Sequence, residues 1–492
     1  MARFKDLRDY LVALQTLDDV ETIDFPVSPV LEAAAFARRS TEQLRPAPLF
    51  EQVDGAPPGF RLLGAAGALS SLPRHPWARV ALSLGLPHDV SARELVEHMV
   101  KAQQAPGIPP KVVDSASAPC KQNILLGDDA TLDGFPAPLV HPDDGGRYVN
   151  TWGVIVARTP DGRWTNWSIS RVMMLDGRRL TGLVLPQQHI GMIWKQWSDL
   201  GQPMPFAIVL GGDPGVTMIG GMPVPENVDE GAFLGSIYGE PVEVVKCETV
   251  DLDVPAGAEI VIEGHVSATR DATEGPYAEF HGWALDETSP EPVFSIEAIT
   301  YRDDPIWPFS ATGRPADDSQ VGPTVGVSAE LTALLRNAGL PISMAWLLIE
   351  TACSWMIVTV RRDWRDLLPE LDASELVRRI GETMSNSRVG RMCPVTYVLD
   401  DDIDPSNTSD VLWALGTRVH PSLRQQHWPV TILPWYLCYT EEERHSARGA
   451  IVVHDGLLPP IESASVRPAT FETLYPAEIR ARVIAAESNA VS

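Results

Sequence analysis

Two carboxylates five residues apart, Glu274 and Glu279, flank a Gly275-Pro276 dipeptide in the stretch TEGPYAEFHGW (273–283). On a helix, residues five apart point about 140° away from each other, and Gly-Pro forbids a continuous helix there. On a straight strand, an odd separation puts them on opposite faces. They converge only if the chain turns at Gly275-Pro276, which that dipeptide favours. Converged, they would form a pair of acids bent toward one reaction centre. Unconverged, they are a plain acidic turn, the commoner meaning of such a stretch on a protein this acidic.

A second stretch, RWTNWSISRVM (163–173), places Arg171 in an otherwise apolar or small segment beside Trp164, Trp167 and Met173. An unpaired guanidinium is costly to desolvate there, so a partner is required, and Glu274 or Glu279 could serve. An ordinary ion pair would meet the same requirement. A third set is dispersed: Asn166, His189 in LPQQHIGM and Glu230 in PVPENVDEGAF. An amide oxygen, an imidazole and a carboxylate suit a divalent ion such as Mn²⁺ or Mg²⁺, with phosphate oxygens in the open positions. The spacing has no local metal signature, and a structural histidine would serve equally.

The elements that must position these groups follow from the rest of the chain. Its 492 residues suggest two to four domains, and 44% hydrophobic with 21% charged residues is an ordinary globular composition. A net charge of −26 repels phosphate backbones and anionic membranes. An anionic substrate therefore needs a local positive group. The five cysteines are scattered without a CxxC pair, which argues for a reducing cytoplasm and against a disulfide framework. The N-terminal amphipathic pattern lacks the apolar core of a signal peptide, and the apolar run 345–360 is too short to span a bilayer. A cytoplasmic protein is expected.

Periodicity predicts helices over 4–16, 28–38 and 90–103, with short strands at 48–53 and 60–64. A Pro/polar stretch at 105–120 resembles a linker. From about 147 to 312 the chain is strand-rich: YVNTWGVIVAR, RLTGLVL, PFAIVLGG, PVEVVKC, EIVIEGHV and PVFSIEAITYR. That texture predicts a β-barrel or sandwich. Further on, helices are expected at 325–338, 365–369, 373–385, 408–416 and 475–487, and strands at 343–349, 355–361, 395–399 and 449–453, as in a separate α/β domain.

Taken together, FKDLRDYLVAL, RPAPLFEQVDG, GGRYVNTWG, DGRWTNWSISR, LTGLVLPQQHIG, GGMPVPENVDEGAFLG, GEPVEVVKCET, TEGPYAEFHGW, ITYRDDPIWP and DDDID resemble the UbiD family of reversible decarboxylases. The likeness is strongest to the ferulic/cinnamic acid and pyrrole-2-carboxylate branch. The resemblance implies an α+β fold: a flavin-reductase-like split β-barrel carrying the cofactor, joined by a helix to an α/β dimerisation domain. The corresponding boundaries are an N-terminal α/β segment packing on the cofactor domain (1–115), the cofactor barrel (116–315), and the linker helix with the C-terminal domain (316–492).

It further implies prenylated FMN (prFMN) as the electron sink for a carbanion left by CO₂ loss, with its iminium carbon bonding covalently to the substrate. The family's catalytic trio falls on Arg171, Glu274 and Glu279. Its metal site, Mn²⁺ (or Mg²⁺) with K⁺ nearby, falls on Asn166, His189 and Glu230. Thr151, Ser168, Ile169, Ser170, Gln188, Met222 and Pro223 fall on positions lining the flavin or its phosphate. Glu279 is the expected proton donor, Arg171 the carboxylate anchor and Glu274 its orienting partner. A homodimer and a flavin prenyltransferase as cofactor supplier are implied.

Two departures bear on these expectations. A family lysine near the phosphate is replaced by Val395, with Arg418 as a candidate substitute. The substrate-lining stretch is DDSQVGPT (317–324). Gln188, Phe280, Ser319 and Gln320, with Leu433 and Trp435 opposite, are the expected pocket, and a tryptophan stacks well on a flat ring. That favours a bicyclic or polycyclic heteroaromatic acid, such as an indole- or phenazine-carboxylate, against a cinnamate- or ferulate-type acid. Two other classes compete: a flavin-free metal-assisted hydrolase and a non-catalytic assembly protein.

Overall fold

The computed structural model describes residues 3–460 and 468–490 and falls into two compact units, Met1–Glu330 with Leu347–Ser354, and Leu331–Trp346 with Trp355–Ser492. In the first unit, eight antiparallel strands follow one another across a curled sheet. Their order is Tyr148–Asn150, Val172–Met174, Arg179–Gly182, Ser289–Tyr301, Ile260–Glu274, Met204–Leu210, Gly153–Arg158 and Thr165–Ser168. Asn123–Leu126 adds a ninth strand beside Ser289–Tyr301.

The central strands Gly153–Arg158 and Met204–Leu210 are buried along nearly their whole length, which is why they read as continuous apolar runs. The long hairpin Ile260–Glu274 and Ser289–Tyr301 shifts register after Glu263, after Val266 and after Arg270. Such bulges bend and twist a strand, so the far end of this hairpin, where Glu274 lies, departs from the flat course of the sheet.

A four-stranded sheet joins the N-terminal region to the barrel, in the order Val20–Ile23, Ala47–Phe50, Arg61–Gly64 and Ile306–Phe309. Its last strand comes from just beyond the barrel. Phe50, Tyr148, Phe206, Phe294, Trp307 and Phe309 are all fully buried in one core, each contributing about 1.5–3 kcal/mol by burial. The first helix, Leu7–Thr16, starts at an Asp6 cap whose carboxylate accepts from the Arg8 and Asp9 amides. Arg8 and Arg302 both reach the buried Glu259, and Asp6 pairs with Arg302.

In the second unit, a five-stranded sheet runs Ile342–Leu348, Trp355–Val360, Val395–Asp400, Arg448–Asp455 and Gln425–Thr431. The amphipathic helix Ala373–Ser385 covers one face of it through Leu376, Val377, Ile380 and Met384. No described helix is long and apolar enough to cross a membrane.

The structure corrects several expected boundaries. The first helix begins at Leu7 rather than 4, because Asp6 caps it. The second is Glu32–Glu42 rather than 28–38. The stretch 105–120 is not a free linker: Lys111–Val112 pairs in parallel with Glu243–Val244, and 3₁₀ turns follow at Ser115–Ser117 and Pro119–Lys121. PVEVVKC lies in this small sheet and not in the barrel. The helix expected from 325 starts at Asp318 and carries Pro323 inside it, where the missing N–H leaves the Ser319 carbonyl without its i→i−4 donor. Helices His189–Asp199, Pro214–Gly220 and Glu230–Tyr238 and the strand Gln425–Thr431 were not anticipated. Their patterns are short or polar and lie among stronger strand signals.

Candidate active site

The strand Ile260–Glu274 delivers Glu274 to its last position. The chain then turns at Gly275, whose φ of +86° favours glycine and whose site leaves no room for a Cβ, the Glu287 carbonyl lying 2.8 Å from where one would stand. A short hairpin follows, Tyr277–Ala278 against Ala284–Leu285. Its tip is closed by the Glu279 amide donating to the Trp283 carbonyl (3.2 Å) and the Gly282 amide donating to the Glu279 carbonyl (2.9 Å). Arg171 enters from the segment between Thr165–Ser168 and Val172–Met174. Its Nε and Nη2 each donate to Glu274 at 2.8 Å, and Nη1 pairs with Glu279 Oε1. The two carboxylates and the arginine thus meet, as a turn at Gly275-Pro276 requires.

The two acids are held differently. Glu274 is fully buried and accepts a third hydrogen bond, from the Tyr148 hydroxyl at 2.9 Å. Three donors around one carboxylate make it a fixed acceptor. Glu279 is 24% exposed at its side chain, and among the described residues its second oxygen has a long contact with the Phe280 amide, 3.4 Å. Glu279 is therefore the more open and less firmly held of the two acids. Burial pushes the Arg171 guanidinium down, but the hydrogen bonds and charge of Glu274 more than offset this and hold it above its ordinary value. Arg171 also lies 5.2 Å over the Tyr277 ring, a favourable cation–π placement, and the Tyr148 and Tyr277 rings are packed 4.4 Å apart.

Tyr148 and Tyr277 were missed by sequence reasoning. Their only signal was membership of GGRYVNTWG and TEGPYAEFHGW. Burial first, and then the Glu274 carboxylate, raise the Tyr148 hydroxyl above its ordinary range, which makes it a dedicated donor. Tyr148→Phe keeps the ring packing and removes that donor. A hydrogen bond to a charged group contributes about 1.5–3 kcal/mol. Turnover is expected to fall about 10- to 100-fold while the circular dichroism spectrum stays unchanged.

The dispersed metal candidates also converge. Asn166 lies on the strand Thr165–Ser168, while His189 and Glu230 are the first residues of their helices. The Asn166 amide donates to Glu230 Oε1 (2.6 Å), the Trp167 backbone amide donates to Oε2 (2.8 Å), and His189 Nδ1 is 3.5 Å from Oε1. Burial raises the Glu230 carboxyl and the hydrogen bond with His189 lowers it, with a net upward shift. Asn166 Oδ1, Ser168 Oγ, Gln188 Oε1 and His189 Nε2 are buried with no hydrogen-bond partner among the described residues. Orphaned oxygens and an imidazole nitrogen beside a buried carboxylate fit a hard divalent cation and a phosphate-bearing ligand. Among the described residues no group of three His, Cys, Asp or Glu side chains is placed to hold a metal, so this set depends on the asparagine amide.

The remaining expected residues fall into two kinds. The Ile169 amide donates to the Gly220 carbonyl (3.1 Å), Ser170 Oγ bonds the Leu183 carbonyl, and Met222 and Pro223 follow the helix Pro214–Gly220. Ser168–Ser170 and the chain leading to Met222 are thus brought together. The Thr151 hydroxyl accepts from the Ser310 amide, 2.9 Å. Gln320 is fully buried, and its polar atoms are taken by backbone. Oε1 accepts from the Asp317 amide (2.7 Å), and Nε2 donates to the Gly313 carbonyl (3.1 Å) and to that of Phe280. It acts as a tie beneath the hairpin tip. The Ser319 hydroxyl donates to Asp317. Leu433 and Trp435 belong to the second unit, beyond the strand Gln425–Thr431, and both are half-buried. Arg418 is not a free substitute for the missing lysine at Val395: its guanidinium donates twice to Asp402, at 2.9 and 2.6 Å.

The chain is similar in sequence and in fold to known proteins. Residues 11–99, 111–315 and 324–429 match the N-terminal, Rift-related and C-terminal domains of the UbiD family, described as 3-octaprenyl-4-hydroxybenzoate carboxy-lyase. Pyrrole-2-carboxylic acid decarboxylase of Pseudomonas aeruginosa is 36% identical over 481 residues, 97% of this chain and 96% of that protein. Ferulic acid decarboxylase 1 of Saccharomyces cerevisiae is 36% identical over 420 residues, 85% of this chain and 83% of that protein. In fold, vanillic acid decarboxylase of Sedimentibacter hydroxybenzoicus superposes with a TM-score of 0.83 at 23% identity, covering 100% of both chains. An evolved dimeric form of HmfF from Pelotomaculum thermopropionicum, in complex with prFMN, superposes with a TM-score of 0.79 at 24% identity, covering 97% of this chain and 100% of that one.

Proposed function

Because the chain belongs to the UbiD family of carboxy-lyases, we propose that it is a prFMN-dependent, non-oxidative decarboxylase of an α,β-unsaturated aromatic acid of the cinnamate or ferulate type. The observation that carries the reading is Arg171 held between the fixed Glu274 and the more open Glu279. The substrates in the relatives' names support a phenylacrylic acid. A single five-membered heteroaromatic acid is the second reading, favoured by the 36% identity over 97% of this chain to the pyrrole-2-carboxylate enzyme. The bicyclic or polycyclic acid expected from the pocket residues gains no support: Gln320, which was to shape that pocket, has its amide engaged by backbone.

Prenylated FMN, when bound, supplies the electron sink that no side chain offers. Asn166, His189 and Glu230 would hold its phosphate through Mn²⁺ or Mg²⁺, with K⁺ nearby, and Thr151, Ser168, Ile169, Ser170, Gln188, Met222 and Pro223 would line it. Arg171 draws in the substrate carboxylate, giving this acidic protein its local positive group. Glu274 and Tyr148 fix the plane of that guanidinium. Glu279 then delivers a proton to the carbon that CO₂ has left. By the same reading the working protein is a homodimer supplied by a flavin prenyltransferase.

Co-production with a flavin prenyltransferase, mass spectrometry of the bound cofactor and CO₂ release from ferulate, cinnamate and pyrrole-2-carboxylate test the proposal. The expected result is a flavin chromophore and CO₂ from at least one of these acids. Hydrolytic activity with metal alone and no retained flavin would replace it with the hydrolase reading. Glu230→Ala removes the only carboxylate of the metal set. Retained metal and flavin, measured by elemental analysis and absorbance, are expected to fall at least about tenfold.

A further inference from the structure

The tip of the catalytic hairpin carries a group that this scheme leaves unused. His281 is 7% exposed, and neither of its ring nitrogens has a hydrogen-bond partner among the described residues. Its neighbours pin it. Gly282, at φ +91°, packs so closely on Arg314 that a Cβ would stand 3.1 Å from the Arg314 Cα, and the Phe280 carbonyl is held by Gln320. The backbone on both sides of the ring is thus held in place. Two unsatisfied polar atoms on one buried ring are costly, and such a pair implies a partner that arrives with a ligand.

The hydrogen-bond inventory of Arg171 indicates which ligand atoms need it. A guanidinium has five N–H donors. Nε and one Nη2 hydrogen go to Glu274, and one Nη1 hydrogen goes to Glu279. Two remain for an incoming carboxylate, which offers about four acceptor positions. We propose that His281 is a second anchor for the substrate carboxylate, donating a neutral N–H to the oxygens that leave as CO₂. The inference rests on the decarboxylase reading above.

The state of the imidazole suits this role. Burial, and then the charge of Arg171, push His281 down to about 4, so near neutral pH it is an uncharged donor. During the reaction the C–C bond to the carboxylate breaks, CO₂ departs without charge, and the bonding pair stays with the substrate carbon until Glu279 protonates it. A second cation on the carboxylate would stabilise the charged ground state more than the transition state, in which that charge is leaving. A neutral donor orients the group with less of that penalty.

The test separates the carboxylate from the rest of the reaction. The reverse of the final step exchanges the vinyl or ring hydrogen of the decarboxylated product for solvent deuterium through Glu279, with no carboxylate present. In cofactor-loaded enzyme, His281→Phe or His281→Leu, which lack the donor, should raise KM for ferulate or pyrrole-2-carboxylate about 10- to 100-fold with kcat changed less than about threefold. Product exchange in D₂O should stay within about threefold of wild type, and His281→Gln, which keeps a neutral N–H, should lie nearer wild type in KM. An unchanged KM in the folded donorless variants would overturn the inference, as would equal losses of decarboxylation and exchange in all three variants. Absence of both reactions in the wild type would instead reject the decarboxylase reading.

Discussion

Glu279→Gln is expected to abolish decarboxylation while leaving the fold and the bound cofactor in place. General acid catalysis contributes about 10²–10⁴-fold, and among the described residues the other carboxylate paired with Arg171 is Glu274. Glu274 is fully buried with three donors on its carboxylate, and Tyr148 already donates to Glu274. Glutamine keeps an oxygen for Arg171 Nη1 and has the size of the residue it replaces, so the arginine should not move. The check is CO₂ release together with deuterium exchange into the decarboxylated product. Both should fall by at least about 10²-fold, since both need the same proton. Retention of exchange with loss of CO₂ release would move the proton to another group.

Arg171→Ala should be the more damaging substitution, because it removes the proposed substrate anchor and also breaks a buried pair. Glu274 would be left uncompensated in the core, and breaking such a pair costs about 3–5 kcal/mol. A lower denaturant midpoint is therefore expected alongside loss of turnover. Adding Glu274→Gln to Arg171→Ala should restore much of the stability and none of the activity. The double-mutant cycle would then report a coupling energy of about 0.5–3 kcal/mol between the two positions. An Arg171→Ala protein as stable as wild type would mean that Glu274 finds another cation, contrary to the single bidentate partner found here.

How much of this was legible beforehand differs by element. The long apolar and alternating runs were plain: Gly153–Arg158, Met204–Leu210, Ile260–Glu274 and Ser289–Tyr301 are strands near where periodicity put them. The short helices His189–Asp199 and Glu230–Tyr238 were not, although they carry two of the three candidate metal-site groups. Each donor there sits at a helix's first residue, where the side chain is placed by the preceding loop rather than by any repeat. The expected linker at 105–120 failed for a related reason. Its Pro-rich composition has no periodicity, yet Lys111–Val112 gains a partner strand from 132 residues further along the chain.

The sequence alone determined the chemical inventory: two acids around a turn-forming dipeptide, one arginine in an apolar segment that had to find a partner, and an Asn, His and Glu fit for a hard cation. It determined these because turn formation and the desolvation of a charge are local requirements, written in residue type and spacing. Tertiary structure alone decided how those groups divide their roles. The bulged strand brings Glu274 under Arg171 and beside Tyr148, more than a hundred residues away in each case, while Glu279 stays half open at a hairpin tip. Burial and the number of converging donors, neither of which has any local signature, make one carboxylate a fixed acceptor and leave the other more open. They also leave His281 enclosed with no hydrogen-bond partner among the described residues.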